Sequence, residues 1–132
     1  MKSFLCILLG VFYLSFTPKK NEVFDVKFGS GGGITGQYSY YLLKQNNELY
    51  IQKGSTYVLL KHISKTKTKK LIKTISSNQL LNMRYNKPGN YTNQMFIIKN
   101  QVIVNQIQWN QNDSLVPTEI INLYNALNKL LL

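Results

Sequence analysis

The most chemically suggestive spacing in the chain is Gly31-Gly32-Gly33-Ile34-Thr35-Gly36, which spells G-x-G-x-x-G. In a dinucleotide fingerprint such glycines end a strand, let backbone approach a pyrophosphate, and open a helix whose N-terminus faces that charge. Here they are followed by Gln37-Tyr38-Ser39-Tyr40-Tyr41, a run of strand formers, so no helix is expected to complete the site. The residues about 20 positions further on, where an acidic side chain would hold a ribose, are Gly54-Ser55-Thr56. The nucleotide reading fails, and no cofactor is expected. What remains is a glycine-rich hairpin connector, Gly29 to Gly36, with capture of a small anion by a backbone nest as a residual option.

Acid-base chemistry is thinly supplied. The chain has 5 acidic residues, Glu22, Asp25, Glu48, Asp113 and Glu119, and each fits an ordinary role beside a strand, a turn, a loop or a helix start. His62 is the single histidine, and Cys6 the single cysteine, lying inside an apolar N-terminal run. A zinc site normally takes three or four His, Cys or carboxylate ligands, which this chain does not group in any familiar spacing. No nucleophile-elbow pattern is present. No catalytic residue and no metal ligand is therefore assigned. A small hydrolase would need His62 and a carboxylate to converge beside a pocket, and it ranks behind the binding readings.

Charge offers the alternative chemistry. Lys and Arg number 16 against those 5 acids, for a formal net charge of +11. Lys65, Lys69 and Lys73 stack along one helical face at a spacing of four, and Lys70 and Lys61 stand near enough to extend it. Such a patch would attract an anionic polysaccharide or a membrane surface. Tyr38, Tyr40, Tyr41, Tyr50 and Tyr57 fall on neighbouring strands and suit stacking on sugars or bases. Tyr38 and Tyr40 share one side of their strand while Tyr41 faces the other, so the five cannot form one platform. The plainer account is that the lysines are a solvated face in a Lys-, Asn-, Ile- and Tyr-rich composition and that the alternate tyrosines are core. Nucleic acid is not expected as a partner.

The elements that must position these residues follow from periodicity. Residues 4–16 form an almost unbroken apolar run behind Lys2, short for a membrane span of roughly 20 residues and suited to a secretory signal. Residues 1–17 are therefore expected to be a signal peptide or N-terminal anchor, and 18–132 one domain. That length, about 115 residues, is enough to bury roughly two thirds of its unfolded surface. Val23 to Phe28 alternates as a half-buried strand, and Gln37 to Lys44 reads as its antiparallel neighbour. Short strands follow at 49–52 and 57–63. Ser64 caps a helix over about 65–76, with Leu71, Ile72 and Ile75 inward and Leu80, Leu81 and Met83 tucking beneath the sheet. Asn86-Lys87-Pro88-Gly89-Asn90 reads as a type II turn, with glycine supplying the positive φ. Residues 94–99 and 102–109 form a hairpin around Asn100-Gln101, and Pro117 opens a last helix over about 117–131. Strands in runs rather than in alternation with helices predict an α+β fold: an antiparallel sheet of about six strands with two helices on one face.

Phe28-Gly29-Ser30-Gly31-Gly32-Gly33 with Thr35-Gly36, then Pro88-Gly89-Asn90, Trp109 after an apolar strand, and Val116-Pro117 before Ile120, Leu123, Tyr124 and Leu127 occur here in that order. In these features the chain resembles small exported proteins of Bacteroidota-type bacteria, some of them lipoproteins, that have no established activity. The resemblance covers most of the domain, rests on turn and core residues, and transfers no catalytic residue. It implies a periplasmic or cell-envelope location. This chain lacks the cysteine that ends a lipoprotein signal. The expectation is an exported, non-enzymatic binding or structural module with a protein or cell-surface partner. A binder of anionic polymer or membrane surface through the 65–76 helix is the alternative.

Overall fold

The structure is a computed structural model and describes residues 23–132; the expected signal segment lies outside the described residues. The fold is α+β, with two helices and a seven-stranded sheet in the order β4-β3-β2-β1-β6-β7-β5. The strands are β1 (Asp25–Gly32), β2 (Gln37–Leu43), β3 (Glu48–Lys53), β4 (Thr56–His62), β5 (Asn86–Lys87), β6 (Tyr91–Lys99) and β7 (Val102–Asn110). The helices are α1 (Lys65–Ser77) and α2 (Thr118–Lys129).

The sheet is mixed rather than wholly antiparallel. Asn86 and Lys87, expected as part of a turn, form β5 and pair in parallel with Gln108 and Trp109 of β7. Gly89 does not adopt the positive φ of a type II turn. It is small for a different reason: a Cβ there would lie 2.2 Å from the Asn110 side-chain nitrogen. The Asn100-Gln101 hairpin, by contrast, turns with both residues at positive φ, 50° and 64°, the geometry that matches the twist of two antiparallel strands.

The glycine stretch divides into two parts. Gly29 to Gly32 belong to β1, and only Gly33 to Gly36 make the turn, a single 3-10 turn (Gly33–Thr35) closed by Gly36 in the left-handed region. The connection from Phe28 to Gln37 is thus four residues of strand and four of turn, not a loop from Gly29. β1 and β2 are antiparallel, Gly32 facing Gln37 and Val26 facing Leu43.

Register assigns every side chain to a face, because directly paired residues share one. Val26 and Phe28 of β1 align with Leu43 and Tyr41 of β2 and with Ile97 and Met95 of β6, whose partners on β7 are Asn105 and Ile107. This face carries the core and the helices. α2 lays Ile120, Leu123 and Leu127 into it, fully or almost fully buried. Its Tyr124 ring stands edge-on to Trp109 at 5.0 Å, a geometry that adds about 1 kcal/mol to the buried area. Ser64 caps α1 by accepting from the Lys67 N–H at 3.3 Å. α1 buries Thr68, Leu71 and Ile75, and the chain leaving it is held by Asn105, whose Nδ2 donates to the carbonyls of Leu80 (2.7 Å) and Met83 (2.9 Å). Each buried side chain such as Phe28 or Ile75 contributes roughly 1.5–3 kcal/mol.

Two substitutions test this packing by urea denaturation. A Cβ at Gly29 would lie 2.0 Å from the Ser39 carbonyl oxygen and 2.8 Å from the Tyr40 ring. Gly29→Ala is expected to cost about 3 kcal/mol, and a loss below about 0.5 kcal/mol would contradict that register. Among the described residues the buried Thr68 hydroxyl has no hydrogen-bond partner. Thr68→Val keeps the shape, removes the orphaned group, and is expected to raise stability by about 1 kcal/mol.

Candidate functional surface

The opposite face of the sheet is lined by the other set of paired residues. One row runs Leu42, Lys27, Phe96, Gln106 across β2, β1, β6 and β7; the next runs Tyr40, Gly29, Gln94, Gln108. Tyr50 stands beside Leu42 on β3, with Leu59 beyond it on β4. None of Tyr40, Leu42, Tyr50 or Phe96 packs against the core cluster. Among the described residues no helix covers this face, and Tyr38 is 42 % exposed there.

The glycines of β1 shape the surface. Gly29 sits between Tyr40 and Gln94 in the same row. With no Cβ on Gly29, the Tyr40 phenol crosses β1 and donates to Gln94 Oε1. Gln94 Nε2 then donates to Gln108 Oε1 at 2.9 Å, and Gln108 Nε2 donates to Asn86 Oδ1. A hydrogen-bonded row of phenol and amides therefore spans β2 to β5. Gly31 does the same for Tyr38, whose ring would meet a Cβ there at 2.7 Å. The Tyr38 and Tyr40 rings lie parallel within 7°, centroids 5.8 Å apart. Lys27 places its ammonium 4.3 Å from the Tyr40 centroid and 5.4 Å from that of Phe96. Lys44 stands 5.9 Å from the Tyr50 ring. Partial burial pushes the Tyr40 hydroxyl above its ordinary pKa, with Tyr38 adding to the effect. The phenol therefore stays protonated as a donor. Beneath the sheet the Tyr124 hydroxyl lies 3.2 Å from the Gly29 carbonyl, so this glycine is held from both sides.

The lysines expected to form a patch fall on two elements. Lys65, Lys69, Lys70 and Lys73 are exposed along α1, which carries no acidic residue. Lys61 is half-buried on β4, and its Nζ donates to the Leu132 carbonyl at 2.9 Å. Of the five tyrosines, Tyr41 faces the core, stacked on Phe28 at 5.6 Å, while Tyr38, Tyr40, Tyr50 and Tyr57 share the uncovered face. The lysines that approach the aromatics of this face are Lys27 and Lys44. Neither stands in a local run of cations, so no sequence motif marks them.

His62 is exposed and pairs across the ladder with Glu48, so it does have a carboxylate neighbour. That carboxyl is already engaged: the Tyr50 hydroxyl, then Asn46, lower its pKa, with His62 a smaller contributor. The pair lies on the β3–β4 edge. A groove of about 410 Å³ lies at the opposite edge, lined by residues 84–86 and 103–106, none of them acidic and none a histidine. Arg84 in that groove is occupied, donating to Asn105 Oδ1 at 2.8 Å. Among the described residues no three His, Cys, Asp or Glu side chains group as a metal site would require, and no helix is long and apolar enough to cross a membrane. No protein-family model matches the chain, and no curated protein matches it.

Tyr85, beside the groove, donates to Asp113 at 2.6 Å. This bond pushes the tyrosine pKa up to about 12 and, with the Leu115 N–H, lowers that of Asp113. A raised tyrosine pKa means its stabilisation is fully present below the unfolded value of about 10 and is lost as pH rises through about 12. The lowered Asp113 pKa means its share is present above the unfolded value, about 4, and is lost in acid. The stability difference between the wild type and Tyr85→Phe is thus expected to be constant near neutrality and to close between about pH 10 and pH 12. Denaturant titration across that window checks it; a difference that does not change with pH would show that the bond contributes nothing.

Proposed function

We propose that the protein is a non-enzymatic binding module of the cell envelope that holds an anionic polysaccharide on the uncovered face of its sheet. The observation that carries this reading is the cluster of Lys27, Tyr40 and Phe96 beside the Tyr40–Gln94–Gln108–Asn86 row. Rings at an exposed sheet face provide apolar surface for the C–H faces of sugars. A row of amides and a phenol provides donors and acceptors for hydroxyl groups. The ammonium of Lys27 provides a counter-charge for a carboxylate or sulfate. The net charge of +11 would raise the local concentration of such a polymer and speed its encounter. The envelope placement rests on the apolar 4–16 segment and on the resemblance to exported proteins.

A second reading keeps the anionic ligand and moves it to the lysines of α1, in which case a membrane surface would serve as well. Its support is the exposed row of Lys65, Lys69 and Lys73 with no acidic neighbour on the helix. Lysines in the first turn also oppose the helix dipole, so a bound anion would relieve them.

Calorimetry with a uronic-acid polymer and with neutral dextran separates these readings. The uronate is expected to bind and dextran to bind far more weakly, with affinity falling as salt rises. Tyr40→Ala and Lys27→Ala are each expected to weaken binding about tenfold, a loss near 1.4 kcal/mol. Chain length of the recovered polymer should be unchanged. If the quadruple charge reversal of Lys65, Lys69, Lys70 and Lys73 abolishes binding while Tyr40→Ala leaves it intact, the sheet-face reading is wrong.

A further inference from the structure

The two edges of the sheet differ in how they are protected. On one side β5 covers part of β7. On the other, β4 pairs only with β3 and leaves the outer backbone groups of a seven-residue strand without a ladder partner among the described elements. Natural sheets usually blunt such an edge with a charge, a proline or a covering loop. Between Thr56 and Leu60 this strand has none of them. Tyr57, Val58, Leu59 and Leu60 are consecutive apolar residues, each 41–45 % exposed.

We infer that β4 is an interface between two copies of this chain, pairing antiparallel with its own equivalent to make one continuous sheet of fourteen strands from two sheets of seven. The occupant is argued from the strip itself. A partner must present an unpaired strand with apolar side chains on both faces and must not set a cation against Lys61. A two-fold axis through Val58 meets these conditions with the chain's own residues. It sets Val58 against Val58 on the helix face and Tyr57 against Leu59 on the uncovered face. It also carries Lys61, the lysine of β4, toward Ser55 in the turn, so like charges do not meet in the ladder. The bulge opposite Leu49 and Tyr50 falls at Leu60, and Thr56 to Leu59 pair with Lys53 to Tyr50 without a shift in register. The general repulsion between two cationic chains remains and is screened by salt.

This inference is independent of the polysaccharide reading, and salt distinguishes them: it should strengthen self-association and weaken polymer binding. Sedimentation equilibrium of the purified protein is expected to show a reversible monomer–dimer exchange that tightens as sodium chloride is raised. Val58→Lys places two ammonium groups face to face at the axis and is expected to weaken the dimer at least about tenfold. Val58→Glu alone should do the same. Because Val58 is 44 % exposed, both variants should keep the wild-type fold by circular dichroism. An equimolar mixture of the two should recover association as a heterodimer, which a merely structural defect would not do. A protein that is monomeric up to its solubility limit at high salt, or a dimer indifferent to Val58→Lys, overturns the inference.

Discussion

The close approach of β2 to β1 at Gly29 and Gly31 is the constraint from which the rest of the molecule is arranged. β1 lies at the centre of the sheet, and its two sides obey opposite rules. Toward the helices it presents Val26 and Phe28, buried to within 1 %. Away from them it presents backbone alone at two successive positions, so that tyrosines from the neighbouring strand close over it. A side chain at either glycine would have to displace main chain as well as a ring. That is the difference between a tolerated overpacking and a changed strand register.

From that constraint the surface chemistry follows. A phenol that crosses a bare strand can reach the amide on the next one, and the amide can pass the bond on. Buried polar groups gain from being linked in this way, because each is satisfied by a neighbour already held in place. Gln94 is only 8 % exposed, yet its amide is used at both ends. The result is an ordered polar row flanked by rings and a lysine, positioned by strands rather than by loops. Rigid positioning lowers the entropy lost when a ligand binds. The α1 lysines stand on long, rotatable stems at an exposed helix face, so they favour encounter with an anion more than selection among anions.

The helices explain why one face stays open. Both α1 and α2 are amphipathic on a single side, and both apolar sides are spent on the same face of the sheet. Trp109, Tyr124 and Asn105 tie that layer together, the last by satisfying two carbonyls where the chain leaves α1. Nothing in the described chain remains to cover the other face. The uncovered surface therefore keeps aromatic side chains that are half-buried by one another rather than by a second layer.

Much of this was legible without coordinates. Periods of two and of 3.6 placed the main strands and both helices, and Ser64 and Pro117 marked where the helices begin. These are local signals, set by which side of an element is apolar. The strand formers that follow the glycine stretch point to antiparallel pairing of its flanking strands, and β1 and β2 pair in that way. Gly29 to Gly32 read as loop because glycine weakens an isolated strand, and only the neighbouring tyrosines show why a strand would need them. β5 leaves no trace in the sequence pattern because two residues carry no period at all. The surface itself was the least legible part. Lys27 and Gln94 are far apart in sequence from Tyr40 and carry no motif, and which residues share a row is decided by the register of long-range pairing. Sequence alone determined the alternation of each strand and the apolar stripe of each helix, since those depend on neighbours three or four residues away. The tertiary structure decided which strands lie side by side, and so turned Gly29 from a turn residue into the gap that Tyr40 crosses.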